Sequence, residues 1–308
     1  MDIRKLQGVL LGFVAAATYG LNPLFALPLL AVGMNTSSIL WFRYTLAIPI
    51  MALMIVARRK SFAVNRRQFV MLASLGLCFG ASSLALFESY RYMDAGIAST
   101  LLFIYPLLVA LIMTTVYHEK LTGAIIAGLV LATAGIAMLF KGEGGATLSL
   151  FGSVLVFISS LTYAIYIVGI NRPALASVPT VTATFYVLLF GMVVFLADIL
   201  LRGPLTLPTG GMQWGCVICL AVLPTAISLF CTTKAISTIG STPTAILGAM
   251  EPVTAVIIGV TVFGERLTGR DVGGLLLILL AVIIVIAGGR IPKYLNRVRK
   301  LFPLHHKH

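Results

Sequence analysis

The chain has 308 residues, 59 % of them hydrophobic and 10 % charged, with a mean hydropathy of +1.06; soluble domains carry about 25 % charged residues, so the composition excludes a soluble globular protein. The formal charge of +13 does not indicate nucleic acid, because the basic residues sit almost wholly at the ends of apolar runs and in the C-terminal tail. Cys78, Cys216, Cys219 and Cys231 all lie inside apolar runs, where a thiol behaves as a small hydrophobe, so neither a disulfide framework nor a metal site or cofactor is expected.

A bilayer core about 30 Å thick needs about 20 apolar residues per helix. Ten such segments follow one another, at 7–31, 36–57, 68–90, 95–117, 122–140, 149–170, 179–200, 212–234, 240–262 and 268–288. Runs this long and unalternating fit helices, not barrel strands. The first is too long, and leads too directly into the second, for a cleaved signal peptide.

Polar residues inside these segments need an explanation. Tyr19 and Asn22 in the first fall at i, i+3 and are expected to share one helix face. Arg43 lies in the second, about 10 Å deep at 1.5 Å per residue. A buried arginine costs at least about 2.5 kcal/mol on insertion scales, so it should face the interior and have a partner. It reads either as a contact for an anionic substrate group or as a structural ion pair or snorkelling side chain. At the end of the third, Glu88, Arg91 and Asp94 form either an outer gate or a solvated helix end. The fourth carries Tyr105 and Pro106; the sixth carries Tyr163 and Tyr166, again i, i+3; Tyr186, beside Phe185 in the seventh, is a further candidate for a cavity wall. Lys234 matches Glu88 in the repeat described next, with the same ambiguity at the other end. In the ninth, Glu251 stands near the midplane, followed by Pro252, which removes a backbone donor and frees carbonyls to face a cavity. The Glu251 carboxylate can bind a cation or proton, a substrate amine, or Arg43 itself. Glu119 and Glu265, at helix junctions, are expected to cap the N-termini of the helices that follow.

The chain repeats itself. An offset of 146 carries Pro106 onto Pro252, Ile112 onto Ile258, Thr115 and Val116 onto Thr261 and Val262, Glu119 onto Glu265, and Leu121 to Gly123 onto Leu267 to Gly269. An offset of 144 carries Gly8, Leu11, Phe13, Thr18 and Tyr19 onto Gly152, Leu155, Phe157, Thr162 and Tyr163. The expected organisation is therefore a first repeat at 1–144, a second at 145–290 and a basic tail at 291–308. Five spans per repeat is an odd number, so the second repeat would enter the membrane from the opposite side, an inverted pair suited to alternating access. With the N-terminus cytoplasmic, 16 of the 22 Lys and Arg residues fall inside and five outside, which places both termini in the cytoplasm. Gly8 with Gly12, Gly76 with Gly80, and Ala245 with Gly248 and Ala249 read as helix-packing surfaces.

TYGLNP at 18–23, WFRYTLA at 41–47, Tyr105-Pro106 followed by HEKLTG, and Glu251-Pro252 followed by GERLTG resemble the paired EamA domains of the drug/metabolite transporter superfamily. The resemblance spans nearly the whole chain, and the doubled proline-to-glutamate block is its specific part. It implies a ten-helix bacterial inner-membrane carrier, an exporter of amino acids or other small metabolites, with a central cavity between the halves and the last helix of each repeat outside it.

No nucleophile and base pair and no phosphate-binding glycine loop occur, so the chain is not read as an enzyme. The expectation is an all-α integral membrane protein of ten transmembrane helices in two inverted five-helix repeats, a secondary transporter with protons as an optional coupling ion and a passive channel or facilitator as the alternative. Its cavity would be lined by Tyr19, Asn22, Arg43, Tyr105, Tyr163, Tyr166, Tyr186 and Glu251, with Glu88, Pro106, Glu119, Lys234, Pro252 and Glu265 in gating or structural roles. Its partners would be a small-molecule substrate and the lipid bilayer, without nucleic acid, the protein standing as a monomer or weak homodimer.

Overall fold

The computed structural model describes residues 3–93, 95–139, 149–261 and 269–288. In chain order the helices are α1 (Ile3–Tyr19), α2 (Asn22–Ala31), α3 (Thr36–Ala57), α4 (Arg66–Ser89), α5 (Ala95–Leu102), α6 (Tyr105–Thr115), α7 (Gly123–Leu139), α8 (Leu150–Ile170), α9 (Thr180–Arg202), α10 (Gly211–Ala221), α11 (Ser228–Ile239), α12 (Ser241–Leu247), α13 (Met250–Thr261) and α14 (Gly269–Gly288). A 3-10 turn at Pro173–Leu175 precedes α9, and a π turn at Val222–Ile227 joins α10 to α11. Among the described residues six helical stretches are long and apolar enough to cross a membrane: Ile3–Ala31, Thr36–Ala57, Arg66–Ser89, Leu150–Ile170, Thr180–Arg202 and Gly211–Ile239. The N-termini of α3, α4 and α8 are set by side chains that accept the first free amides: Asn35 from Ser38, Asn65 from Gln68 in a capping box, and Ser149 from Gly152.

Four of the apolar segments are not continuous α-helices, and each interruption sits at a proline. Pro23 is the second residue of α2, Pro106 the second of α6, Pro224 lies in the π turn, and Pro252 is the third residue of α13. A proline cannot donate to the preceding turn, which leaves a carbonyl free there. The break between α1 and α2 corrects one expectation. Tyr19 closes α1 and Asn22 opens α2, so the two do not share a face of one helix.

Packing runs across the halves. α1 packs on α11 and α13, α4 on α8 and α9, α3 on α9, α6 on α12, and α7 along α14. Backbones meet closely between α4 and α9: a Cβ on Gly80 would lie 2.5 Å from the Gly191 carbonyl oxygen, so no side chain fits there. Between α4 and α8, Ser82 Oγ donates to the Ser159 carbonyl at 2.9 Å and Ser159 Oγ to that of Ser82 at 2.8 Å. Outward faces carry exposed Leu53, Val130, Leu150 and Leu276, as a lipid-facing surface requires.

Glu119 does not cap α7. It lies exposed in the preceding loop, and Thr122 Oγ1 accepts the Ile125 amide instead, because Thr122 alone stands one position before the helix. Glu265, Asp94 and the basic tail lie outside the described residues.

Candidate functional site

The centre of the bundle joins residues at the ends of interrupted helices, Tyr19, Tyr105 and Glu251, to residues within the unbroken α4 and α8. Tyr19, the last residue of α1, stacks on Tyr163 of α8 with ring centroids 6.2 Å apart and planes 7° from parallel. Tyr163 stacks in turn on Tyr166 at 6.0 Å and meets the edge of Tyr105 at 4.8 Å, while Phe79 of α4 lies 5.0 Å from Tyr166. Tyr105 opens α6, and its hydroxyl reaches across to the other half: it donates to the Ala245 carbonyl at 3.2 Å and lies 3.5 Å from Glu251 Oε1. The helix breaks before Pro106 and Pro252 therefore put Tyr105 and Glu251 side by side. The side chain of Pro252 is not among those described; its backbone lies in the first turn of α13.

Two glycines make this approach possible. The Tyr105 hydroxyl occupies the space that a Cβ on Gly248 would need, and a Cβ on Gly20 would stand 2.6 Å from the Glu251 carbonyl oxygen. Glu251 is half-buried, with the Tyr105 hydroxyl beside its carboxylate. A carboxylate beside this tyrosine cluster suits an ammonium group, which gains from the charge and from the nearby ring quadrupoles.

Arg43 is fully buried beside this cluster. Its Nε donates to Thr225 Oγ1, one terminal nitrogen to Asn22 Oδ1 at 2.9 Å and the other to the Pro224 carbonyl at 3.2 Å. The guanidinium also lies 5.5 Å from the Phe87 ring centroid. Among the described residues it forms no ion pair, with Glu251 or otherwise, and it does not snorkel. Helix irregularity supplies its acceptors. Pro224 cannot donate to Leu220; Thr225 Oγ1 donates to that carbonyl at 2.7 Å, and its oxygen faces Arg43. Among the described residues the buried Asn22 amide nitrogen beside it has no partner.

One end of the bundle is tied shut. Glu88, at the end of α4, is buried rather than solvated, and pairs with Arg91 at 2.9 Å and with Arg202 of α9 at 3.7 Å. Arg202 also holds Asp198 at 2.9 Å, and Ser37 at the start of α3 donates to Asp198. The loop after α9 closes over α3, with Asn35 and Ser38 bonded to Pro204 and Thr206.

Lys234 lies at the other end, on the wall of a cavity of about 490 Å³ that Arg58, Lys60 and Arg172 also line. Tyr186 is not in the central cluster. It packs on Phe69, Phe185 and Phe190 and donates to the Phe62 carbonyl at 2.9 Å, pinning the loop after α3, because it lies less than two turns from the start of α9 rather than mid-span.

Residues that the sequence did not single out include Thr225, Pro224, Phe79, Asp198 and Arg202. For Pro224 and Thr225 the signal was present: a proline followed by a hydroxyl residue inside an apolar run. Gly248 carried a weaker one, as part of a small-residue cluster just before Glu251.

The profile of the EamA-like transporter family matches residues 6–141 and again 150–287. An uncharacterised transporter of Bacillus subtilis (strain 168), YyaM, is 23 % identical over 270 residues, covering 84 % of this chain and 87 % of that protein. A solved crystal structure superposes with a TM-score of 0.75 at 20 % identity, over 90 % of this chain and 95 % of its own, and shares the fold.

Proposed function

The chain belongs to the EamA-like transporter family, a family of membrane transporters, and from that premise we propose that it exports a small amine-bearing metabolite such as an amino acid, by alternating access between two inverted five-helix repeats. The reading takes the membrane to be the bacterial inner membrane, with ten crossings and both termini in the cytoplasm. The observation that carries it is the pairing of Tyr105 with Glu251 at matched helix breaks, one from each repeat. Both halves contribute to one central site, so tilting one against the other exposes that site to either side. The sealed end at Glu88 and the open cavity at Lys234 support a conformation facing one side only.

The substrate ammonium would sit on Glu251 between the tyrosine rings, and a proton arriving on the same carboxylate would displace it. Export then exchanges amine for proton. Full-length protein in liposomes loaded with a radiolabelled amino acid panel should release at least one member saturably, faster with an inward proton gradient. Glu251→Gln should retain folding and lose the response to the gradient. Absence of flux across the whole panel counts against the reading, and non-saturable flux of many solutes assigns a channel instead.

A further inference from the structure

The cavity at the Lys234 end has a lining unlike the rest of the molecule. Arg58, Lys60, Arg172 and Lys234 face it from the end of α3, the loop after α3, the stretch after α8, and α11, and among the described residues no acidic one lines it. Its acid-free wall contrasts with the other end, where Glu88 and Asp198 neutralise Arg91 and Arg202. Among the described residues none of the four cations forms an ion pair. Two of them are braced by rings: the Arg58 guanidinium lies 5.0 Å from the Phe230 ring centroid, and that of Arg172 lies 3.4 Å from the Tyr117 centroid, with Nε donating to the Val168 carbonyl at 3.1 Å. Bracing reduces the rotamer entropy lost when a ligand binds. Ser177 and Thr180 add hydroxyl groups to the wall, whereas the hydroxyls of Thr233 and Ser237 donate to the Leu229 and Lys234 carbonyls. Thr180 and Val181 bring the first turn of the 23-residue helix α9, whose free amides favour an anion.

A general excess of lysine and arginine at one membrane face explains cations at this end but not four around one concavity without an acid. The volume of about 490 Å³ fits a small molecule. The wall also touches the central site: Thr233 lines the cavity and its hydroxyl lies 3.0 Å from that of Tyr166. We propose that this cavity binds small solutes bearing carboxylate or phosphate groups, concentrating them at the mouth of the central site. Only its role as a mouth rests on the transport reading; anion binding is measured without transport.

Citrate and inorganic phosphate are titrated, at constant ionic strength, against the purified full chain in nanodiscs of phosphatidylcholine, with thermal unfolding and calorimetry as readouts. Citrate or phosphate should bind saturably and raise the Tm. Lys60→Gln with Lys234→Gln, two exposed side chains with no ion pair among the described residues, should weaken binding about tenfold while leaving the Tm without ligand unchanged. Lys234→Glu should weaken it further. Undiminished binding in these variants, or none in the wild type, overturns the proposal. Stabilisation by phosphatidylglycerol in the discs with no response to citrate or phosphate assigns the cations to lipid headgroups and overturns it equally. Failure of liposome flux with anion binding intact removes the transport reading and leaves the site.

Discussion

The two repeats meet in two crosswise interfaces that began as copies and now differ. On one side α4 packs on α8, both unbroken, joined by the reciprocal Ser82 and Ser159 bonds and by ring contact of Phe79 with Tyr166. On the other, the α1–α2 segment faces the α10–π–α11 segment; both are broken, and Arg43 fills the gap. Positions equivalent to Arg43 in the second repeat, at offsets of 144 to 146, are Val187, Leu188 and Leu189. The Val187 carbonyl and the Gly191 backbone of α9 lie directly against the α4 glycines. The difference teaches that the buried guanidinium and the broken backbone are coupled: Thr225 satisfies the Leu220 carbonyl that Pro224 leaves free, and its oxygen, with the Pro224 carbonyl and Asn22 Oδ1, gives the arginine the acceptors it needs to be tolerated in the bundle.

The largest expected effect breaks that device. Arg43→Ala leaves Asn22 Oδ1, Thr225 Oγ1 and the Pro224 carbonyl without their donor and opens a cavity. Together these should cost about 3–5 kcal/mol, lowering the Tm by on the order of 10 °C. Val187→Ala, at the equivalent place in the other interface, should cost about 1–2 kcal/mol, because only methyl packing is lost. Thermal unfolding of both variants in one lipid composition checks this; equal losses would show that the interfaces are held in the same way and remove the asymmetry.

How much of this was legible follows from the same residues. The repeat and the matched prolines Pro106 and Pro252 were readable because they recur in register, and the structure breaks the helix at both. Pro alone was not a sufficient sign, since Pro28 and Pro49 stand inside α2 and α3 without ending them. Whether a proline breaks a helix depends on what satisfies the freed carbonyl, which is a tertiary fact. Arg43 was legible as a residue needing a partner, but Thr225 and Pro224 lie more than 180 residues away, beyond any periodicity. Tyr19 reached the centre for a reason different from the one its spacing suggested. The i, i+3 argument assumed one helix, and Asn22 went to Arg43 while Tyr19 went to Tyr163. Glu88 looked like a solvated end because its partner Arg202 belongs to the other repeat.

A second comparison sets the two central breaks against each other: the first repeat presents Tyr105 and the second Glu251, and Gly248 lets them meet. Gly248→Ala forces the Tyr105 hydroxyl away and should cost about 1–3 kcal/mol, with a fall in transport as Glu251 loses its neighbour. Tyr105→Phe removes the obstructing oxygen, so the double variant should be more stable than the sum of the single losses predicts, by about 1 kcal/mol in a double-mutant cycle. Strict additivity would mean that the two side chains do not compete for this space.

The smallest effect belongs to the regular interface. Ser82→Ala removes one of two equivalent donors between α4 and α8, and the Ser159 hydroxyl keeps its own acceptor on the Ser82 backbone. Hydrogen bonds between helices in lipid average about 0.6 kcal/mol, and no buried donor is left without a partner, so the loss should be about 0.5–1 kcal/mol. Because the unbroken helices already satisfy their own backbones, this interface tolerates loss of a polar pair, whereas the broken one depends on Arg43. A loss from Ser82→Ala approaching that of Arg43→Ala would therefore locate the rigid support of the bundle in its regular half and reverse the assignment made from the helix breaks.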